Sequence, residues 1–362
     1  MAPTKRVLIY RLGSLGDTVV ALPGFHLVAR AFPKAERRLL TNFPVEAKAP
    51  PAAAILEGTG TVHGYFRYWA GTRNLRELLR LWWEIVRWGP QVLVYLGPAR
   101  GVESARRDAR FFRMCGIGRL IGVPATADMQ ENRLAADEVL GYETLEPEAR
   151  RLARNLAELG DAQVDDPASW DLRLTEAERA KADEALVPAG GRGVIALCIG
   201  TKVQANDWGR ENWQELLSRL AERYPGHALA VTGAAIDREP SEFIAERWRQ
   251  RAEAGLSGPA LNLCGELTPR ESAALFAHAS VYLGHDSGPM HLAAAVGTPC
   301  VAIFSGREKP RKWFPFGAGH RVLYHRVDCW GCGLETCVVE AKKCILSISV
   351  EEVLGEVRAV LG

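Results

Sequence analysis

A strand that runs directly into a glycine loop opens this chain: residues 7–17 read VLIYRLGSLGD. The apolar, β-branched run 7–10 is typical of a buried strand, and the loop 13–16 ends it. A single amphipathic helix is predicted to follow over residues 17–31. A helix that begins after such a loop points unpaired backbone N–H groups and a partial positive charge into the loop. The stretch therefore predicts a strand–loop–helix unit whose loop favours anions.

A second junction of the same kind lies near the other end of the chain. The apolar run SVYLG (280–284) leads into HDSGPMH (285–291). Ser287 can cap a helix, Gly288 lets a ligand approach the backbone, and Pro289 fits a first helical turn. One interpretation makes Asp286 or Ser287 a cap and His291 a buried polar residue. We favour a phosphate-binding loop, because several features of such loops coincide here.

Strand and helix signals alternate through both halves of the chain, which indicates βαβ units and parallel sheets. A chain of 362 residues is too long for one ordinary core. We predict an α/β protein with two doubly wound, Rossmann-like domains facing a central cleft, into which both glycine junctions open. The N-terminal domain with its linker is predicted over residues 1–175 and the C-terminal domain over residues 176–345. A closing helix in residues 346–362 is expected to pack back on the N-terminal domain.

Composition narrows the class of protein. Hydrophobic residues make up 48% and charged residues 24%, which is typical of a soluble globular protein. The net charge of +2 argues against a dedicated nucleic-acid binder, which would carry a strong basic excess. No apolar run reaches the ~20 residues of a spanning helix, and no signal peptide precedes the first strand. We therefore expect a cytoplasmic protein.

Asp17 is the strongest candidate for proton transfer, and it has two interpretations. In one it caps the helix after the glycine loop, which the string Gly-x-x-Gly-Asp alone favours. In the other it is a general base that takes a proton from a hydroxyl group. A second glycine junction in the other half of the chain favours the catalytic interpretation of Asp17. The glycine spacing departs from Gly-x-Gly-x-x-Gly, which counts against a nicotinamide-dependent oxidoreductase.

Further candidates follow other predicted strands. Lys202 comes after the strand at 194–199 and is either a solvated loop lysine or a cation for a diphosphate. Thr232 and Gly233 end the next strand, and Glu239 is placed either to hold ribose hydroxyls or to favour a helix dipole. A basic stretch after residue 98 includes Arg100 and Arg106. It forms either a solvated helix face or a site for an acidic acceptor.

The predicted helix 75–88 is rich in leucine, tryptophan and arginine. We expect its large apolar residues, among them Leu79 and Trp83, to pack in the core. Tryptophan beside arginine also suits a membrane surface, so a weak peripheral contact stays open.

The eight cysteines fall into two groups. Cys115, Cys198, Cys264 and Cys300 are scattered along the chain, and the last three lie in or beside apolar strands and are predicted to be core residues. Four others are crowded with the spacing C-x2-C-x4-C-x6-C: Cys329, Cys332, Cys337 and Cys344. This spacing holds one Cys-x-x-Cys but lacks the second one of a zinc ribbon. The cluster is either a structural metal site, such as zinc, or local packing, and we assign it no metal. A nucleic-acid module built on it is the weakest interpretation.

Taken together, the two junctions resemble glycosyltransferase family 9, the ADP-heptose:lipopolysaccharide heptosyltransferases. The likeness is strongest over residues 11–17 with 21–23 and over residues 286–295 with 297–299. The resemblance implies a GT-B fold and an inverting, metal-independent glycosyl transfer without a cofactor. It also implies that Asp17 occupies the position of the catalytic base. The loop at residues 286–291 would bind the donor diphosphate, with Lys202 nearby.

The resemblance leads to a specific functional hypothesis. The protein would be an enzyme that transfers a sugar, most simply a heptose from ADP-heptose, to a hydroxyl of a lipopolysaccharide core or related surface glycan. A lipid-linked acceptor leaves open a contact with the cytoplasmic face of the inner membrane. Three groups of residues would form the site: for the diphosphate, Lys202, Asp286, Ser287, Gly288, Met290 and His291; for the nucleoside, Thr232, Gly233 and Glu239; for the acceptor, Gly13, Ser14, Leu15, Gly16, Arg100 and Arg106.

One departure from the family pattern bears on the donor. Many members have Lys-x-Trp-Pro before the first helix of the second domain, where this chain reads NDWG at residues 206–209. Another nucleotide sugar therefore remains an alternative donor. A non-catalytic, two-domain nucleotide-sugar binder is the alternative from a different class.

Overall fold

The computed structural model describes residues 4–43, 51–138 and 140–362. The chain divides into two compact units, Met1–Arg173 and Leu174–Gly362. The predicted boundary lay between residues 175 and 176. Over the described residues, no helix combines the length and the apolar character needed to cross a bilayer.

The first unit is built on a parallel sheet with the strand order β3-β2-β1-β4-β5. The five strands are β1 (Arg6–Tyr10), β2 (Glu36–Asn42), β3 (Gly64–Tyr68), β4 (Val92–Tyr95) and β5 (Arg119–Ile121). A separate antiparallel hairpin contains β6 (Leu134–Asp137) and β7 (Tyr142–Leu145). The helices of this unit are α1 (Leu15–Val20), α2 (Leu22–Ala31), α3 (Ala53–Leu56), α4 (Leu75–Trp88), α5 (Val102–Met114), α6 (Ala127–Gln130) and α7 (Glu148–Asn155).

The second unit contains a six-stranded parallel sheet with the order β10-β9-β8-β11-β12-β13. Its strands are β8 (Gly193–Cys198), β9 (His227–Val231), β10 (Ala260–Asn262), β11 (Ala279–His285), β12 (Cys300–Phe304) and β13 (Arg321–Tyr324). Its helices are α8 (Glu176–Leu186), α9 (Arg210–Arg223), α10 (Arg238–Glu253), α11 (Pro269–Phe276), α12 (Gly288–Ala295), α13 (Lys343–Leu346) and α14 (Val350–Leu361).

Both sheets are doubly wound, as predicted. The strand order reverses between β1 and β4 in the first unit and between β8 and β11 in the second. Ligands of open α/β sheets bind outside the carboxyl ends of the strands at such a reversal. The β1–α1 loop and the β11–α12 loop, which are the two junctions of the sequence, each follow a strand at this position.

The apolar residues of the central strands supply the cores. Val7, Leu8 and Ile9 of β1 have no exposed surface, and Cys198, Cys264 and Cys300 are buried as predicted. In the first unit one core cluster joins β1 and β4 to the inner faces of α4 and α5 through Leu81, Ile85 and Phe112. The strands are buried on both faces because helices cover each side of a parallel sheet.

Three elements differ from the prediction. The single helix at 17–31 is two helices, since Ala21 ends α1 and begins α2, and the ring of Pro23 fits only a first turn. The hairpin β6–β7 was not predicted from the sequence. Its β6 is largely exposed, so the alternation that marks a half-buried strand is missing. The edge strand β13, with only four residues, was also not predicted.

We expected the closing helix to pack on the N-terminal domain, whereas the structure shows its buried face packed in the second unit. The buried face of α14, formed by Val353, Leu354 and Val357, belongs to the core of the second unit, together with Trp208 and Trp213. Its neighbours are α9 and the strands β11, β12 and β13. The apolar spacing of the helix predicted a buried face, but spacing alone does not specify which surface covers it.

Candidate functional site

The β1–α1 loop folds the Asp17 carboxylate back over the start of its own helix. Asp17 Oδ2 accepts hydrogen bonds from the Ser14 backbone N–H at 2.8 Å and from the Ser14 hydroxyl at 3.1 Å. Gly13 adopts a φ of +129°, and a Cβ there would lie 2.5 Å from Asp17 Cβ and Cγ. Glycine is therefore required at this position both for the backbone conformation and for the space that Asp17 occupies.

A buried arginine anchors the same loop. The Arg11 side chain is 1% exposed, and its guanidinium donates to the backbone carbonyls of Leu96, at 2.7 Å, and Asp17. Arg11 Nη2 lies 3.7 Å from Asp17 Oδ1. Burial lowers the pKa of Arg11, and the Asp17 carboxylate opposes this effect. Arg11 therefore holds the loop backbone and places a positive charge beside the Asp17 carboxylate.

The contacts of Asp17 are compatible with both interpretations that the sequence left open. It helps to cap α1 through Oδ2, and its side chain is still 28% exposed. A carboxylate that is fixed by its neighbours and still reaches solvent can take a proton from a hydroxyl group. The remaining loop residues have structural contacts: the Gly13 N–H donates to Asn42 Oδ1 at 2.9 Å, and Leu15 is buried.

Arg100 lies in a network of phenols at the carboxyl end of the first sheet. Its Nη2 donates to Asp108 Oδ2 at 2.5 Å and to the Tyr10 hydroxyl at 2.9 Å. The Tyr95 hydroxyl donates to the same Asp108 oxygen at 2.9 Å. Burial raises the pKa of Tyr10 and of Tyr95, so both phenols stay protonated. The Arg100 side chain remains one-third exposed, so the network presents a positioned cation at its surface.

Arg106 is not part of this network. It lies on the exposed side of α5, where its guanidinium forms an ion pair with Glu103 at 2.9 Å. Exposed pairs of this kind contribute little to stability.

In the second unit, the buried imidazole of His285 fixes the strand end before the α12 loop. His285 Nε2 accepts hydrogen bonds from the Trp208 backbone N–H at 3.1 Å and from Trp213 Nε1 at 3.2 Å. Burial lowers the pKa of His285 to about 4, while Asp207 opposes the shift. The imidazole is therefore neutral at pH 7, which is the form that can accept through Nε2.

The backbone of the predicted phosphate-binding loop is held by two further polar side chains. Asn206 Nδ2 donates to the Asp286 carbonyl at 3.3 Å, and Asn206 Oδ1 accepts from the Ser305 hydroxyl at 2.5 Å. Asn206 and Ser305 are both buried. Asn206 begins the NDWG string that departs from the family pattern, and here it supports the loop rather than facing solvent.

The loop has the geometry of a helix start. Ser287 is the N-cap of α12, with extended backbone angles, and Gly288 and Pro289 form the first turn. Backbone N–H groups at this end of the helix lack helical partners and attract anions. Met290 is fully buried and His291 is 5% exposed, so the side chain of Met290 contributes to the core.

Lys202 lies at the same edge of this sheet. It follows β8, which pairs with β11 in parallel, so their carboxyl ends are neighbours. The Lys202 side chain is exposed. The structure therefore places the lysine on a loop adjacent in the sheet order to the α12 loop.

The residues predicted to bind the nucleoside differ in exposure to solvent. Thr232 is 2% exposed, and its N–H donates to the Leu197 carbonyl at 2.8 Å. Gly233 lies beside it, whereas Glu239 is exposed in the first turn of α10.

Asp237 is a residue that the sequence analysis missed. Its carboxylate is buried and accepts a hydrogen bond from the Ala234 N–H at 3.0 Å. A Cβ on Gly200 would lie 2.6 Å from Asp237 Oδ2, and one on Gly233 would lie 3.1 Å from it. Two glycines that follow neighbouring strands are the available signal, since both leave room for the same carboxylate.

The four crowded cysteines line one cavity of about 10 Å³, which has room for about one water molecule. Cys337 Sγ accepts a hydrogen bond from the Lys342 N–H at 3.2 Å, and backbone N–H groups lower the pKa of Cys337. Burial raises the pKa of Cys344. Within the described part of the chain, no group of three or more histidine, cysteine or acidic residues has an arrangement suited to a metal ion.

The cysteine segment supports the loop that contains Asn206. The Ala205 N–H donates to the Glu335 carbonyl at 3.0 Å, and the Cys337 N–H donates to Gln204 Oε1 at 3.0 Å. Lys342 Nζ donates to the Asp207 carbonyl at 2.8 Å. These contacts tie the segment to the residues directly before α9.

Comparisons with known proteins agree on one family. The sequence model of glycosyltransferase family 9 (heptosyltransferase) matches residues 130–342. Lipooligosaccharide heptosyltransferase 2 of Haemophilus influenzae is 33% identical over 116 residues, which cover 32% of this chain and 32% of that protein. The chain thus matches about a third of that relative's length.

Solved structures show the same fold over nearly the whole chain. A family 9 glycosyl transferase from Veillonella parvula superposes with a TM-score of 0.72 and 17% identity, over 99% of this chain and 97% of the other. The ADP-heptose LPS heptosyltransferase II of Escherichia coli gives a TM-score of 0.67 and 18% identity, over 98% of both chains. These likenesses confirm the predicted fold class, a GT-B type with two Rossmann-like domains.

Proposed function

Because the chain belongs to glycosyltransferase family 9, we propose that it transfers a sugar from a nucleoside diphosphate to a hydroxyl group of a lipopolysaccharide core or a related surface glycan. The observation that carries the proposal is the family match over residues 130–342, which contains the α12 loop with its helix N-terminus. Asp17 lies outside that range, so its role rests on the geometry of the β1–α1 loop.

The proposed donor is ADP-heptose. The names of the relatives and of the solved structures support a heptose and, for the Escherichia coli protein, ADP-heptose. In the proposed complex, the N–H groups at the start of α12 bind the diphosphate, with Ser287, Gly288 and His291 around it. Lys202 adds a positive charge from the neighbouring loop. These groups stabilise the charge of the leaving diphosphate without a metal ion, since helix dipole and ammonium supply the positive charge.

Asp17 is the proposed general base. The acceptor hydroxyl loses its proton to the Asp17 carboxylate, and its oxygen bonds to the anomeric carbon as the bond to the diphosphate breaks. A single displacement of this kind inverts the anomeric configuration. Arg100, which the phenol network holds in place, is the proposed contact for an acidic group on the acceptor.

A panel of nucleotide sugars tests the donor. We expect ADP-heptose to raise the melting temperature of the protein, and sugars linked to GDP, UDP or dTDP to leave it nearly unchanged, because a ligand that binds only the folded state stabilises it. A larger shift with one of the other nucleotides would replace ADP-heptose as the donor. Binding without any transfer to acceptor would support the non-catalytic alternative.

The Asp17→Asn variant tests the base. The amide keeps the size of the side chain and can still accept from the Ser14 N–H, but it cannot take a proton. We expect turnover to fall by at least ~100-fold with donor binding unchanged, because the donor residues belong to the other unit. Asp166→Asn is the matched control, since Asp166 caps a short helical turn in the same unit through the Ala168 N–H. Near-normal turnover of Asp17→Asn would leave Asp17 a cap only.

A further inference from the structure

Helix α4 has a second apolar face that the fold leaves exposed. Its inner face, with Leu81, Ile85 and Trp88, is buried in the core. Leu75 is 73% exposed, Leu79 62%, Trp83 53% and Val86 39%. At about 100° per residue, these four positions fall within an arc of roughly 80° and extend along roughly 16 Å of the helix. We call them the outer stripe of α4.

Arginines adjoin the outer stripe along one side. By the same helical spacing, Arg76, Arg80 and Arg87 lie next to the arc of the stripe, and all three are exposed. The Arg87 guanidinium lies 5.1 Å from the centre of the Trp83 ring. The two acidic residues of α4 are engaged locally, since Glu77 accepts from Thr72 Oγ1 at 2.7 Å and Glu84 from Arg80 at 2.8 Å.

The charge of the chain is distributed unevenly around this surface. Residues 67–119, which include α4 and α5, contain eleven arginines against four acidic residues. Residues 1–120 contain 19 Lys and Arg against 8 Asp and Glu, which leaves 26 against 35 for the rest of the chain. The near-neutral total therefore conceals a basic N-terminal part and an acidic remainder.

We propose that the outer stripe of α4 and its arginines dock on an anionic lipid bilayer, with α4 lying in the plane of the headgroups. Leucine, valine and tryptophan would insert at the level of the headgroups, and the arginines would contact lipid phosphates. This inference rests on the surface of the first unit and not on the proposed reaction.

Charge and chemistry favour an anionic bilayer over a second copy of the chain and over a nucleic acid. A second copy of the chain would bring the same arginine-rich patch against itself in a two-fold interface, where like charges repel. A nucleic acid would satisfy the arginines, but it offers no apolar layer for the leucine and valine side chains of the stripe. A bilayer with anionic headgroups supplies both an apolar layer and phosphates.

Flotation of the full-length protein with lipid vesicles tests the proposal without donor or acceptor, so its result is independent of the proposed activity. We expect binding to vesicles of phosphatidylcholine mixed with phosphatidylglycerol, weaker binding to phosphatidylcholine alone, and a loss of binding as salt is raised. The double variant Leu79→Glu, Trp83→Glu should lower the vesicle partition coefficient by at least ~100-fold, because two large apolar side chains no longer insert. Arg76→Ala with Arg87→Ala should lower it by roughly tenfold or more on anionic vesicles.

The control is Leu256→Glu, which changes a leucine of similar exposure, 55%, in the second unit and should bind like the wild type. Circular dichroism and melting temperatures establish that each variant is folded. Equal binding of the wild type and the stripe variant, or no preference for anionic lipid, would overturn the proposal. So would a wild-type dimer that the stripe variant loses, or binding of duplex DNA that depends on the same residues.

Discussion

At the scale of single residues, the missing side chain of Gly13 decides where the Asp17 carboxylate can lie. The carboxylate occupies the space that a Cβ on Gly13 would enter, and the φ of +129° disfavours any other residue. The buried Arg11 holds the opposite side of the loop. The position of Asp17 is therefore set by neighbours that have no direct part in the proposed chemistry.

Gly13→Ala should therefore displace Asp17. We expect turnover to fall by about 100-fold, because a shift of about 1 Å in a reacting group is enough for such a loss. The control is Gly160→Ala, at a φ of +112° with nothing within 4 Å of the added Cβ. Both variants should lose about 1–2 kcal/mol of unfolding free energy from backbone strain, measured by urea denaturation. Equal activity of the two variants would contradict the positioning of Asp17 by Gly13.

Single residues also show which features could be predicted from the sequence and which could not. The glycine loops and the cap-forming Ser287 could be recognised because they follow strongly apolar strands. The buried carboxylate of Asp237 was missed in favour of the exposed Glu239, two positions further along the chain. The sequence around these residues shows no helical or strand pattern of apolar residues, so it does not predict whether Asp237 or Glu239 is buried. That choice depends on Gly200 and Gly233, which meet Asp237 only in the folded sheet.

At the scale of elements, α14 illustrates the same limit. Its apolar spacing predicted a buried face, and the face is buried. The surface that covers it comes from α9 and the strands β11–β13, which lie 26 or more positions earlier in the chain. Likewise, the exposed strand β6 lacks the alternation that would have predicted it.

Shortening a buried side chain of α14 should destabilise the second unit selectively. Leu354→Ala removes a side chain that packs in the core of that unit, so we expect a loss of about 2–4 kcal/mol. Amide hydrogen exchange should become faster in β8, β11 and α9, and stay unchanged in β1, β2 and β4. The exposed neighbour Glu351 offers a control, since Glu351→Ala changes the same helix outside its buried face. Faster exchange confined to the first unit would instead support the packing expected from the sequence.

At the scale of the whole molecule, the net charge did not predict how the charged residues are distributed. A net charge of +2 excluded a strongly basic protein, yet the basic and acidic residues are separated along the chain. The doubly wound sheets followed from the alternation of strands and helices, because that pattern recurs in both halves. Which apolar residues of α4 stay outside did not follow: Leu79 and Trp83, expected in the core, are exposed.

Five histidines that lose hydration to different degrees on folding give the whole molecule a shared response to acid. Burial is the largest cause that lowers the pKa of five histidines: His26, His63, His227, His285 and His320. The unfolded chain binds protons near pH 6.5, while the folded protein binds them only at lower pH. Their stabilising effect is therefore complete above pH 6.5 and is lost as the pH falls towards the folded pKa values.

His285 should account for the largest single part of this loss, because its pKa is lowered to about 4. Between pH 7.5 and 5, above the titration of most carboxylates, its share is about 2 kcal/mol. His285→Gln keeps an oxygen acceptor for the Trp208 N–H but cannot titrate, so its unfolding free energy should depend less steeply on pH than that of the wild type. Urea denaturation at pH values from 5 to 7.5 measures both slopes, and parallel curves for His285→Gln and the wild type would exclude His285 as the titrating group.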